Sequence, residues 1–269
     1  MSSFPSGGLG TAAEGRQFDS FAAAAIGVEG AALIKLGEGF QLPDGRAYRF
    51  GKNGATTGVA NKTAQAAIPV ADFDTLAIQA AITAGDSSFT FTNGGTSIVA
   101  GDLDEGFAVM ESSAALGQIV KIHHVRGVDN AGAVANATTG TIHLYPGVTM
   151  VAAATTSHKV TMIFSPFFET LIAASPVTAQ VVGVPQIALA VGAYGYYQVR
   201  GVGSCLVTGT TKIGGVLVPS DGVDGSLEEA DLLINDGTPP TEHYELVQIA
   251  VTMEVAPTTD FQACFFTLE

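Results

Sequence analysis

Tryptophan is absent from the 269 residues, and cysteine nearly so, with only Cys205 and Cys264. No CxxC spacing occurs, which removes the dithiol redox motifs and cysteine zinc sites. Two such cysteines read as buried thiols in a reducing cytosol, not as a disulfide framework. Charge is scarce as well: 13% of residues are Asp, Glu, Lys or Arg, about half the usual share of a globular domain. Basic charge is scarcest, 11 residues against 25 acidic ones, for a net charge of −14. No window holds the basic stripe that displaces counterions from phosphate, so direct nucleic-acid binding is not expected. An anionic lipid surface is disfavoured on the same ground. No apolar run approaches the roughly 20 residues that span a bilayer; the longest, residues 21–36, is broken by Glu29 and Lys35. Residues 1–15 contain no Lys or Arg but do contain Glu14, which is not the basic start of a secretory signal. The expected location is the cytoplasm, or a particle assembled there.

What is present is apolar and small. Residues of the apolar class make up 47% of the chain, and 33 are glycine. An exterior built from Ala, Thr, Val and Gly is nearly neutral, and such surfaces are commonly covered by neighbouring subunits. Residues 1–20, rich in Gly, Ser and Ala, read as an N-terminal arm that orders only against neighbours. Residues 21–77 read as a β and irregular region, with a hairpin over 39–50 turning at Pro43-Asp44-Gly45. Over 78–166 short β-prone runs recur at intervals of roughly 10 to 20 residues, the spacing of a β-sandwich or barrel. Among them Phe89 and Phe91 alternate with threonines before Asn93-Gly94-Gly95, which predicts a hairpin returning over 97–100. Residues 167–269 form a second β domain around the stretch 183–203. There, runs 186–191 and 194–200 flank Gly192-Ala193, as a tight hairpin requires. Residues 244–255 alternate cleanly, which predicts a strand burying Val247, Ile249, Val251, Met253 and Val255. The fold class is therefore all-β, a β-sandwich or barrel-like arrangement of short antiparallel strands and hairpins.

Chemistry-bearing motifs are weak. Gly85-Asp86-Ser87-Ser88 is placed like an esterase nucleophile segment but has no Asp-x-x-His downstream, and reads as a turn. In Gly201-Val202-Gly203-Ser204-Cys205 the second glycine of a nucleophile elbow is missing. His123 and His124 are adjacent, so regular pleating sends them to opposite faces and they do not chelate one metal; His143 is a candidate neighbour across a sheet. The carboxylates Asp221, Asp224, Glu228 and Glu229 lack EF-hand spacing, and Asp102, Asp104 and Glu105 form a second acidic loop. The expectation is no catalytic residues, no metal, no cofactor and no hydrolase activity. The residues assigned to contact a partner are Tyr194, Tyr196, Tyr197 and Arg200. Tyr196 and Tyr197 alternate in direction, so one fills the core and the other anchors a neighbour.

The succession Phe89-Thr-Phe-Thr, Gln118-Ile-Val-Lys-Ile, Gly140-Thr-Ile-His-Leu-Tyr-Pro, Ser157-His-Lys-Val-Thr-Met, Gly183-Val-Pro and Ala193-Tyr-Gly-Tyr-Tyr-Gln-Val-Arg-Gly resembles head proteins of tailed bacteriophages, in particular capsid decoration (cement) proteins. A Trp is expected where Tyr196 or Tyr197 stands. The resemblance implies an all-β virion protein on the outer surface of an icosahedral head, commonly a homotrimer, bracing subunits of the major capsid protein. The alternatives are a virion-attached receptor or glycan-binding module, using exposed tyrosines for stacking, and a tail-spike type hydrolase, which needs paired carboxylates in a groove.

Overall fold

The computed structural model describes residues 34–111, 117–128, 132–230, 248–255 and 259–269. The arm expected over 1–20, and residues 244–247 of the expected long strand, lie outside these. Within them the chain is all-β. The strands are, in order, β1 (Gly39–Gln41), β2 (Ala47–Lys52), β3 (Ala64–Gln65), β4 (Leu76–Ala77), β5 (Ser88–Thr92), β6 (Phe107–Met110), β7 (Ile119–Arg126) and β8 (Thr139–Leu144). They continue as β9 (Lys159–Ile163), β10 (Leu171–Ile172), β11 (Val181–Pro185), β12 (Tyr194–Thr208), β13 (Val216–Pro219), β14 (Leu227–Glu229), β15 (Ala250–Thr252) and β16 (Asp260–Thr267). Among the described residues two compact units result, one within Ile68–Ser165 and one from residues 34–67 with those of Pro166–Glu269.

In the Ile68–Ser165 unit six antiparallel strands run in the order β4-β9-β6-β7-β8-β5. Ile78, directly after β4, bridges Phe91 of β5, so the first and last strands meet and the sheet closes. Side chains alternate across a strand, and β5 shows the consequence: Phe89 and Phe91 are buried while Ser88, Thr90 and Thr92 are half-exposed. Phe91, Met110, Ile122 and Ile142 fill the interior, each stabilising the unit by about 1.5–3 kcal/mol relative to exposure.

The other unit is built on β12. Its first half pairs with β2 and with Val184 and Pro185 of β11; its second half pairs with β16 and, in parallel, with β14. Because β16 continues through β15 and β13 back to β14, the second half of β12 completes a ring of five strands. Cys205, Val207, Leu217, Leu227, Ala250, Cys264 and Phe266 point into it. Between its halves β12 carries a bulge, where the register to β2 shifts between Gln198 and Arg200. The buried Gln198 Nε2 donates to the carbonyls of Arg200, Gly201 and Val202 at 3.1, 3.3 and 2.9 Å. Gly201 has φ +86°, and a Cβ there would meet the Arg46 backbone at 2.9 Å.

Three differences from the expected pairings have local causes. Residues 97–100 are not the partner of β5; that is β8. The reason is Asn93, which is buried and donates through Nδ2 to the carbonyls of Thr96 (2.9 Å), Ala135 (3.1 Å) and Val134 (3.4 Å). Ile98 is thereby set against Val134, with mutual backbone bonds of 2.9 Å. The hairpin at 183–203 is wide: β11 and β12 are joined by residues 186–193, because Leu189 is bonded both ways to Gly58 at 2.8 and 2.9 Å. Asn53 holds that pair as Asn93 holds the other, donating to Thr56, Ala190 and Leu189 carbonyls at 2.6, 3.0 and 3.5 Å. The two asparagines head the related segments Asn53-Gly-Ala-Thr-Thr-Gly-Val-Ala and Asn93-Gly-Gly-Thr-Ser-Ile-Val-Ala, one in each unit.

Third, the strand expected over 244–255 is only three residues long; Ile249 is buried as expected, but from residue 251 onward the facing is reversed. Thr252 points inward and is buried, whereas Met253 and Val255 are exposed and Val251 is half-exposed. Thr252 is held by the Lys212–Gly215 turn: Gly215 N–H donates to its Oγ1 at 3.0 Å, and the hydroxyl donates to the Lys212 carbonyl. Ala250 and Thr252 thereby join Cys264 and Phe266 on the inner side of the ring, while Val251 and Met253 face out.

Removing the Asn93 amide leaves two or three buried carbonyls short of a donor, at about 1–3 kcal/mol. Asn93→Ala should lower the stability of its unit by that amount in urea unfolding, and Asn53→Ala should do the same in the other unit. A change under 0.5 kcal/mol in both would refute the bracketing role.

Candidate functional site

The partner residues assigned from sequence lie on one strand but in different environments. Phe40, Tyr48, Phe50, Tyr194 and Tyr196 share a face of β1, β2 and β12, as their register requires. Phe40 stacks on Tyr48 at 5.2 Å and meets Tyr196 edge-on at 4.7 Å; Phe50 stacks on Tyr194 at 5.7 Å. Tyr196 is buried in this cluster, and desolvation, with Glu38 nearby, pushes its hydroxyl up to about 12. Tyr197 points to the opposite face and packs with Ala64, Val182 and Leu189. Its hydroxyl shares a 2.5 Å hydrogen bond with Thr170 Oγ1, while burial raises its pKa well beyond the usual phenol range. Opposite facing is thus as expected, yet both tyrosines are used within the chain's own fold. Tyr194 is half-exposed and Arg200 is exposed.

One accessible apolar surface among the described residues lies further along β12 and on its partner strands. Val202 pairs with Phe265, Phe265 with Val251, and Val251 with Val216, so these four side chains form one row across four strands on the outside of the ring. Ser204 with Ala263 and Leu206 with Phe261 continue the face along β12 and β16. Val202, Phe261 and Phe265 are 47%, 49% and 41% exposed, unusual for such side chains side by side. The sequence pattern missed this face because β16 is apolar on both sides: Cys264 and Phe266 face inward with Gln262, which accepts a 2.9 Å hydrogen bond from Thr211 Oγ1. The signal available was the charge-free alternation Phe261, Ala263, Phe265.

The motifs weighed for chemistry are placed apart from one another. Asp86 closes a turn, its Oδ2 accepting from Thr83 N–H at 2.7 Å, and Asp102 does the same for Val99 at 3.1 Å. Ser204 exchanges backbone hydrogen bonds with the Gln186 side chain. Asp224 accepts from Ser175 N–H and Glu229 from Lys212 N–H, so the acidic loop is divided between two tasks. Among the described residues no three His, Cys, Asp or Glu side chains converge as metal ligands, and no helix is long and apolar enough to cross a membrane.

The histidines contradict the expected facing. The register between β7 and β8 shifts between Ile122 and His124, a β-bulge that sets two residues of one strand opposite one of the other. His123 and His124 consequently share the outer face of the six-stranded sheet, with their Nδ1 atoms 2.8 Å apart. His143 stacks on His124 with ring centroids 4.5 Å apart. Burial first, then the neighbouring His143, His123 and Arg126, lower the His124 pKa to about 4, and burial lowers His143 as well. Beside them Tyr145 donates to Glu105 at 2.6 Å and Lys121 pairs with the same carboxylate at 2.7 Å.

Compared with protein-family models, curated proteins and solved structures, the chain matches none.

Cys205 and Cys264 are free and buried inside the five-stranded ring. Burial drives the Cys205 thiol well above its ordinary value, and burial with nearby Glu254 raises Cys264 to about 12. The thiolate is the reactive form, so neither should react with a thiol reagent at pH 8 in the native chain, while both should react within minutes in denaturant. The unfolded thiols ionise near 9, below the folded values, so the folded state loses proton-linked stability as pH rises above 9. Fast labelling of the native chain would show that the ring is open.

Proposed function

We propose that this chain is a structural protein of a virus particle, a decoration (cement) protein on the outer surface of an icosahedral bacteriophage head. It acts there as a homotrimer that braces neighbouring subunits of the major capsid protein. The observation that carries the reading is the outward apolar face of Val202, Phe261, Phe265 and Val251 on a rigid ring of strands. A chain with net charge −14 repels its own copies over most of its surface, whereas this face presents no charge along its central row. Copies of the chain meet there with least electrostatic cost, and each covers what the other exposes. The threefold number and the shell partner follow from the resemblance of the sequence to decoration proteins. Arg200, exposed two residues before Val202 on the same strand, forms the near margin of the contact. Supporting the assembly role, the candidate nucleophile segments and both acidic loops are engaged in turns and backbone bonds.

The wild-type chain should run as a trimer by mass measurement in solution at micromolar concentration. Phe265→Asp places an unpaired charge in the contact and should weaken association by at least a hundredfold. Because Phe265 is 41% exposed in the single chain, stability of the unassociated form should fall by only about 1–2 kcal/mol, with folding retained. On particles, the protein should co-purify with heads at hundreds of copies. A monodisperse monomer unaffected by Phe265→Asp, or a few copies per particle, would overturn the reading and favour a receptor-binding module.

A further inference from the structure

The histidine pair on β7 has a geometry that a regular strand cannot supply. In an unbroken pleat, adjacent side chains leave on opposite faces, and two neighbouring histidines never see the same ion. The bulge at Ile122/His124 removes that obstacle and brings the two Nδ1 atoms together in a 2.8 Å hydrogen bond, whose proton a bound dication would displace. Imidazole nitrogens bind transition-metal dications at about 2.0–2.1 Å. Two such bonds at a right angle put the nitrogens about 2.9 Å apart, whereas a tetrahedral angle puts them about 3.3 Å apart. Right-angled nitrogen pairs suit square-planar and tetragonal Cu²⁺ and Ni²⁺, and Cu²⁺ binds more tightly than Ni²⁺ or Zn²⁺ at a given nitrogen site. We propose that His123 and His124 form a two-nitrogen chelate for Cu²⁺ or Ni²⁺, with the remaining coordination positions left to water.

The surroundings hold the two rings in place. His123 meets the Tyr145 ring edge-on at 5.3 Å, and Tyr145 is tied to Glu105 and overlain by Lys121 at 4.8 Å. His124 is backed by the His143 ring, tilted 31° from parallel, so His143 supports the pair by stacking. Charges around the pair are mixed: Arg126 acts against a bound cation at His124 and His143, Asp104 favours one from the His123 side, and the nearby Glu105 carboxylate is already paired with Lys121. Both imidazoles are half-exposed, which leaves an approach from solvent.

The test uses the full chain stripped with a chelator and then titrated calorimetrically with CuCl₂ or NiCl₂ alone. One saturable ion per chain is expected, with Cu²⁺ tighter than Ni²⁺ and Ni²⁺ in the micromolar range. His123→Gln and His124→Gln should each weaken Ni²⁺ at least tenfold, with thermal unfolding of the metal-free variants showing that they remain folded. Electron paramagnetic resonance of the Cu²⁺-loaded parent should show splitting from at least two imidazole nitrogens, a readout that needs no variant. Absence of saturable binding below 1 mM, affinity retained in either variant, or a signal with fewer than two nitrogens would overturn the proposal.

Discussion

A fifteen-residue strand that serves four partners cannot stay straight, and the bend in β12 is the constraint on which its unit depends. Right-handed twist accumulates along any strand, and a bulge concentrates it at one place. Here that place is Gln198 to Gly201. The Gln198 amide ties together the carbonyls of Arg200, Gly201 and Val202 at the bulge, and Gly201 adopts the positive φ that lets the chain pass close to Arg46. Arg200, at the bend, is paired with both Ala47 of β2 and Thr267 of β16. The aromatic layer on one side of the bend and the closed ring on the other are therefore held by one strand.

The same economy recurs in the turns. Isolated bridges join Gly58 to Leu189, Ile82 to Ala154 and Ile98 to Val134, and each bridge is followed on both chains by a tight backbone turn. Asp86 and Asp102 brace their turns with a carboxylate, and His158 does so with Nδ1, accepting from Thr155 N–H at 2.8 Å. Short strands bury little area each, so their ends must be fixed by polar bonds that the strands themselves do not provide. Asn53 and Asn93 are the buried members of this system, and they give the two units a shared device.

What is left uncovered differs between the two halves of β12. Where β12 meets β2, large aromatics are consumed internally, which is why the tyrosines that seemed suited to a neighbour are mostly occupied. Where it meets β16, the interior of the ring takes Cys205, Cys264, Leu217, Phe266 and Thr252. Val202, Phe261 and Phe265 alternate with these residues along the same strands and are left on the outer face.

By itself the sequence determined the all-β class, the 39–50 hairpin, the alternation in β5 and the burial of both thiols. These rest on local chemistry: Pro-Asp-Gly turns, period-two patterns and the scarcity of charge. Only the tertiary structure decided the partner of β5, the width of the 183–203 hairpin, the facing of Thr252 and the meeting of His123 with His124. Each depends on contacts between residues distant in sequence, such as Asn93 with Ala135 or Thr252 with Lys212, or on a bulge that shifts side-chain parity by one. Period-two reasoning assumes an unbroken pleat, and where both faces of a strand are apolar, as in β16, it has nothing with which to choose between them.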